Sequence, residues 1–240
     1  MKKAYFNWSS GKDAMLALDK VLASKEYKIS KLVTTVNTDF NRVSMHGLSV
    51  NLLEQQAQAL GIPLEKIELA GNVSMKSYNN AMKKVMKNLT SQGFKYAFFG
   101  DIFLEDLRAY REEKLAEVGV EAIFPLWKKD TKKLLHEFLK KGYKAITVCV
   151  NAKLLDVSFC GRVIDKSFIE DLPEGVDVCG ENGEFHTFVY DGPIFKNPIE
   201  FTIGEKVLKN YTSSKNDDDC FVEDPSWDTS FWYCDLIVKQ

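Results

Sequence analysis

The sequence predicts an α/β protein: a doubly wound, mostly parallel five-stranded sheet followed by a smaller α+β domain. Three observations carry that expectation. Short apolar runs alternate with segments of helical apolar spacing as far as Pro125, most runs stop at a turn residue, and beyond Asp130 longer extended segments take over. Strands separated by helices need right-handed crossovers, so they lie parallel with helices on both faces.

The first strand is Ala4 to Trp8, which stops at Ser9-Ser10-Gly11. Ala14, Ala17, Leu18, Val21 and Leu22 then recur at helical spacing. Leu32 to Val36 reads as a second strand, and Leu48, Leu52, Leu53, Ala57 and Leu60 as one helix face that Gly61 and Pro63 end. A third strand, Leu64 to Leu69, leads to a helix over about Met75 to Leu89. A fourth, Tyr96 to Gly100, leads to a helix over about Glu105 to Glu117, and a fifth lies near Ala122 to Phe124. Asp130 is placed to cap a helix carrying Leu134, Leu135, Phe138 and Leu139. Lys144 to Val150, Phe185 to Tyr190, Glu200 to Leu208 and Ser230 to Val238 read as strands. The last two form an antiparallel pair around the polar surface loop Thr212 to Asp219. The halves divide near residues 125–130 without a linker, so they are expected to pack together.

Composition narrows the function classes. The 240 residues are 45% hydrophobic and 28% charged, with a formal net charge of -2. That gives no global basic field and hence no compositional argument for a nucleic-acid partner. Cys149, Cys160, Cys179, Cys220 and Cys234 contain no CxxC pair, which speaks against a zinc knuckle, an iron–sulfur site or a redox dithiol. No run approaches the ~20 apolar residues of a membrane span, and the N-terminus has no apolar signal core. A reduced, cytoplasmic, membrane-free protein is expected; a homodimer stays open.

The chemistry starts at Ser9-Ser10-Gly11-Lys12-Asp13. A glycine-bearing turn between a buried strand and a helix points backbone N–H groups and the helix dipole at whatever sits above it, which makes an anion site. Serines that merely cap the helix give the same spelling. Lys12 directly after the glycine favours phosphate, and the Asp13 carboxylate in the first turn suits the dipole and can hold Mg²⁺ between phosphates. This is no Walker A loop, since Asp13 stands where Ser or Thr is required.

The segment resembles the SGGKDS pyrophosphatase loop of the N-type ATP pyrophosphatase superfamily, built on an adenine-nucleotide-hydrolase-like sheet. Ser9, Gly11, Lys12 and Asp13 match; Ser10 replaces the first glycine and Ala14 the final serine. Ser10 must avoid positive φ or tolerate strain there.

Further segments resemble the diphthine–ammonia ligase family. They are Gly100-Asp101-Ile102 followed by Arg108, Arg111 and Glu112; Pro125-Leu126-Trp127 with Leu134, Leu135 and Glu137; and the run Cys179-Gly180-Glu181-Asn182-Gly183-Glu184-Phe185-His186-Thr187 followed by Asp191-Gly192-Pro193. On that resemblance, residues 1–127 bind ATP and residues 128–240 bind substrate. The cofactors implied are ATP and Mg²⁺, with Ser9, Ser10, Gly11, Lys12, Asp13, Thr35 and Gly100 at the nucleotide and Asp13 and Asp101 at the metal.

Lys12, Asp101, Arg108, Glu181, Glu184 and His186 are the expected catalytic residues, and His46, Arg111 and Asn182 the expected substrate contacts. With 185–190 as a strand, its alternation is expected to set Glu184 and His186 on one face, with Glu181 and Asn182 on the preceding turn. The implied reaction adenylates a carboxylate, releases pyrophosphate and forms an amide from ammonia; in the family the carboxylate is diphthine, a modified histidine of elongation factor 2. Two other readings stay open: an ATP pyrophosphatase with another acceptor such as tRNA, and a nucleotide-binding sensor without turnover.

Overall fold

The computed structural model describes residues 1–43, 47–70, 74–211 and 229–239. The expected loop at Thr212 to Asp219 and the candidate His46 lie outside them.

The first sheet holds the five expected parallel strands, β1 (Lys2–Asn7), β2 (Tyr27–Asn37), β4 (Leu64–Leu69), β5 (Tyr96–Phe98) and β6 (Glu121–Ile123). The pairs β1–β2, β1–β5, β2–β4 and β5–β6 are all parallel. A sixth, two-residue strand, β3 (Arg42–Val43), pairs antiparallel with the end of β2. It is too short to leave a periodic signal in the sequence.

Alternation along β1 explains the double winding. Ala4 and Phe6 face a core shared with helices α1 (Lys12–Ser24) and α2 (Val50–Leu60). Tyr5 faces the opposite core, with Met86 and Leu89 of α3 (Met75–Ser91) and Leu115 of α4 (Glu105–Ala116). Ser49 caps α2 and Gly61 ends it at φ +69° with its N–H on the Gln58 carbonyl, the C-terminal glycine motif read in the sequence.

The second sheet is four-stranded and antiparallel, in the order β8-β7-β10-β9, from β7 (Lys144–Asn151), β8 (Phe185–Asp191), β9 (Phe201–Tyr211) and β10 (Thr229–Val238). The long β9–β10 pair runs from Phe201 opposite Val238 to Tyr211 opposite Thr229. Asp130 caps α5 (Thr131–Lys140) through its side chain, as its position predicts. A short helix, α6 (Lys166–Asp171), was not legible, because six residues give less than two turns of periodicity.

Helix α1 packs against β8 and α5, and its apolar face joins a single core that contains both sheets. The N-terminus of α1 therefore opens where the two sheets meet. Among the described residues no helix is long and apolar enough to cross a membrane.

Candidate functional site

A cleft of about 2140 Å³ opens between the carboxyl ends of the parallel strands and the inner face of the second sheet. Open α/β sheets bind ligands at that edge. Pockets for a single drug-sized ligand are commonly about 300–1,000 Å³, so this cleft is larger than one such ligand needs.

The loop after β1 forms its floor. Gly11, at φ -83°, is the N-cap residue of α1 and offers no side-chain cap. The cap comes instead from the other sheet: Lys12 N–H donates to Thr187 Oγ1 at 3.0 Å. The N–H groups of Asp13 and Ala14 have no acceptor among the described residues, which leaves two first-turn donors aimed at the cleft. Val189 N–H and Gln56 Nε2 both donate to the Ser10 carbonyl, at 3.1 and 3.0 Å. Gln56 also donates to the Val189 carbonyl at 2.6 Å and accepts from Trp8 Nε1 at 2.7 Å. The loop is thus stitched to β8 before any ligand arrives.

Ser10 takes the strained option. Its φ is +69°, it is fully buried, and its hydroxyl has no partner among the described residues. It does not line the cleft, so its side chain is not placed to contact a nucleotide, contrary to expectation. A left-handed non-glycine residue costs roughly 1–2 kcal/mol, and a buried unpaired hydroxyl about 1–3 kcal/mol. Ser10→Gly is therefore expected to stabilise the fold by about 1–2 kcal/mol after the entropic cost of glycine. Urea unfolding reads this directly; an unchanged or lower midpoint would refute it.

Lys12 is buried, and its ammonium donates to Asp13 Oδ2 at 2.8 Å and to the Cys179 carbonyl, 5.1 Å from the Phe185 ring centre. Burial opposes its charge, but Asp13 and the Cys179 thiol reverse the balance and hold its pKa above the ordinary value. Two of its three N–H groups are engaged, leaving one for a ligand. Burial raises the Asp13 carboxyl, and Lys12 offsets only part of the rise.

Asp101, in the segment that follows β5, lines the cleft and pairs with Arg111, whose guanidinium lies 4.6 Å from the Phe99 ring centre. Gly100 is a packing requirement. A Cβ there would stand 2.7 Å from the backbone nitrogen of Ala14. From the second sheet, Glu181 Oε1 accepts from Ile102 N–H at 2.6 Å and Phe103 N–H at 3.4 Å, tying the run at 179–187 to the segment at 100–103.

Burial pushes Glu181 up to about 7, with Asp13 and Asp101 adding to the rise against the Ile102 bond. Its folded pKa stands above the ordinary 4.5, so its contribution to stability is complete below pH 4.5 and is lost as pH climbs to 7. Glu181→Gln, which keeps the acceptor oxygen but does not titrate, is expected to gain on the wild type across that window by on the order of 2–3 kcal/mol. A stability difference that stays flat across the window would contradict this.

His186 also lines the cleft; burial first and Lys12 second push it down to about 4, so it is neutral at pH 7. Ser9, Gly11, Thr35, Gly100, Arg111 and Asn182 line the same space.

Two expected catalytic residues do not. Arg108 pairs with Glu112 at 2.7 Å, with its guanidinium 4.5 Å from the Trp127 ring centre and 5.1 Å from that of Phe124. One helix face carries both arginines, but the aromatic pair draws Arg108 aside. Glu184 is buried, outside the cleft lining, and its carboxylate accepts from Asp177 N–H at 3.0 Å, Asn182 N–H at 2.9 Å and Asn182 Nδ2 at 3.0 Å. Strand β8 begins at Phe185, as expected, but Glu184 belongs to the turn before it and does not follow the strand's alternation. Glu184 shapes the turn that carries Glu181.

Among the described residues no three His, Cys, Asp or Glu side chains are grouped to hold a metal ion unaided. Asp13 and Asp101 are two carboxylates on one cleft, each raising the Glu181 pKa. That donor set fits Mg²⁺, which commonly takes one or two carboxylates and completes its shell with phosphates and water.

Comparison with known proteins identifies the family. The diphthamide synthase N-terminal domain matches residues 1–122, and the diphthamide synthase C-terminal domain matches residues 130–215. The chain belongs to the diphthamide synthase family. Within the family it is 26% identical over 170 residues to the diphthine–ammonia ligase of Danio rerio, covering 63% of this chain and 66% of that one. The Homo sapiens diphthine–ammonia ligase is 31% identical over 111 residues, 44% of this chain and 42% of its own. The chain thus aligns with less than two thirds of the length of these curated relatives. A solved structure titled as a predicted subunit of a tRNA methyltransferase from Methanocaldococcus jannaschii overlaps 79% of this chain and 96% of its own, at 18% identity and a TM-score of 0.41.

Thr187 and Gln56 were missed as site residues in the sequence. Thr187 had a signal, as the last residue of an unusual motif. Gln56 had a weaker one, an amide among Leu52, Leu53 and Ala57 on an otherwise apolar helix face.

Proposed function

We propose that this protein is an ATP-dependent amide ligase of diphthamide biosynthesis, adenylating a carboxylate and then passing its acyl group to ammonia. The observation that carries the reading is the joining of the Lys12 loop to the Glu181–Thr187 run across one cleft, through Thr187 capping α1 and Glu181 bonding to Ile102. Phosphate and acyl chemistry then share one space.

The β- and γ-phosphates lie over the first turn of α1, held by the N–H groups of Asp13 and Ala14 and by the remaining Lys12 N–H. These groups meet the charge that grows on pyrophosphate as the α-phosphorus is attacked, which is where fixed donors accelerate such a step. Asp13 and Asp101 are the residues that would hold Mg²⁺, which would supply further neutralisation of the phosphate charge. The substrate carboxylate oxygen bonds to the α-phosphorus and pyrophosphate leaves. Ammonia then bonds to the acyl carbon, AMP leaves, and one proton is released.

Glu181, with a pKa near 7, is matched to taking that proton at neutral pH. Arg111, beside Asp101, is placed to hold the substrate carboxylate or the α-phosphate. His186, neutral, serves as a hydrogen-bonding wall and not as an acid.

Incubation with Mg-ATP, ammonium and diphthine-bearing elongation factor 2 tests the reading through the nucleotide product. AMP and pyrophosphate are expected. ADP would overturn the adenylation step, and tight ATP binding without turnover would favour a sensor.

A further inference from the structure

We infer that Cys234 and Cys160 form a peroxide-reactive thiol pair, in which Cys234 is oxidised first and Cys160 closes a disulfide with it. The pair stands where strand β10 parts from β7. Their antiparallel ladder runs from Phe231 opposite Asn151 to Tyr233 opposite Cys149 and stops there. Towards the start of β7, the segment after Cys160 takes the place of β10. Gly161 N–H donates to the Thr147 carbonyl and Thr147 N–H to that of Arg162, both at 3.0 Å. Cys234 and Cys160 thus face one another across a fork, on two segments that no backbone hydrogen bond joins among the described residues.

Contacts across the fork are close. The Cys160 thiol donates to the Trp232 carbonyl at 3.3 Å, and a Cβ on Gly161 would stand 2.7 Å from Cys234 Sγ. Glycine, at φ +71°, is what lets that sulfur approach. Both cysteines are buried, Cys160 completely, and of the two Cys234 alone lines the cleft. A small oxidant in the cleft therefore meets Cys234 first.

The thiolate, not the thiol, is the nucleophile towards peroxide. A hydrogen bond from Cys160 holds the Cys234 pKa below its ordinary value against the opposing effect of burial, and the Lys206 ammonium adds to the lowering. The same bond, together with burial, pushes Cys160 up and keeps it protonated. Cys149 and Cys179 also line the cleft, but burial pushes Cys149 up to about 12 and raises Cys179 as well. Access and thiolate character coincide at Cys234.

The Cys234 thiolate attacks one peroxide oxygen, the O–O bond breaks and hydroxide leaves, giving a sulfenic acid. The Cys160 sulfur then attacks the Cys234 sulfur while its proton passes to the departing hydroxyl, so water leaves and the S–S bond forms. Two thiols are oxidised and one peroxide is reduced to two waters. The new bond ties β10 to the segment after Cys160, between the cleft-lining residues Tyr233 and Asp235.

The test treats the reduced full chain, without ATP, with a small excess of hydrogen peroxide, so it stands whether or not adenylation is observed. Intact mass and peptide mapping without reductant follow the reaction. Loss of two hydrogens and a linked Cys160–Cys234 peptide are expected, with Cys234 consumed ~10-fold or more faster than Cys149 or Cys179. Dithiothreitol should restore the starting mass. In Cys160→Ser, dimedone should trap a sulfenic acid at Cys234 without a disulfide; in Cys234→Ser, Cys160 should stay reduced. The wild-type map decides the question even where a serine variant is destabilised. A link made by any other pair, Cys220 included, would overturn the inference. So would oxidation of Cys234 no faster than that of Cys149 and Cys179, or a wild-type chain that stays reduced in peroxide.

Discussion

Lys12→Met is expected to lower kcat/KM for AMP formation by roughly 10²–10³-fold, the usual cost of removing one fixed donor from a developing anion. Lys12 is buried, held by Asp13 and the Cys179 carbonyl, and its charge is supported by its surroundings. A cation fixed in that way needs no reorganisation when pyrophosphate departs. The substitution also strands the Asp13 carboxylate, so some stability must be lost with it. The double variant Lys12→Met/Asp13→Asn separates the two effects: it should recover most of the unfolding free energy and none of the turnover. Steady-state pyrophosphate release and urea unfolding on the same preparations measure both. Turnover within a few-fold of wild type in either variant would place the phosphate site elsewhere.

The second large effect is expected from the smallest change. Gly100→Ala adds one methyl group, but at 2.7 Å from Ala14 N and 2.9 Å from Ala14 Cα it meets backbone that cannot rotate away. Either β5 or the first turn of α1 must move. The first turn carries the Asp13 and Ala14 N–H groups, and a misplacement near 1 Å at a reacting centre costs on the order of 10²-fold. Overpacking should also cost about 1–3 kcal/mol. Loss of activity with a cooperative unfolding transition is the expected pattern. A fully active Gly100→Ala enzyme would show that the approach of α1 to β5 does not position the loop.

Much of this architecture was legible in the residues. The five parallel strands and the helices between them follow from apolar periodicity and from punctuation such as Gly61, Pro63 and Asp130. The strand–loop–helix setting of Lys12 was legible for the same reason, since a glycine-bearing turn after a buried first strand has few structural uses. Side-chain direction at the ends of elements was not. Glu184 and His186 are two residues apart, yet the strand starts between them, and a one-residue boundary decides whether a carboxylate faces the cleft or folds into its own turn.

Arg108 and Arg111 share a helix face, and only the placement of Phe124 and Trp127, from a distant segment, separates their fates. Contacts between the sheets were equally hidden. That Thr187 caps α1, and that Gln56 joins Trp8, Ser10 and Val189, depends on how the two sheets meet, which no local pattern encodes. Ser10 is the reverse case. The residue alone announced a conflict with positive φ, and the structure shows the strain kept, held by two hydrogen bonds to its carbonyl.

The central claim is that the Lys12 loop and Glu181 serve one adenylating centre. The most direct measurement supplies elongation factor 2 bearing diphthine whose carboxylate is labelled with heavy oxygen, together with Mg-ATP and ammonium, and examines the AMP by mass spectrometry. One labelled oxygen in the AMP for each amide formed is the predicted result, because the carboxylate oxygen that attacks the α-phosphorus departs with it. Unlabelled AMP, or ADP alongside labelled inorganic phosphate from attack on the γ-phosphorus, would contradict the account.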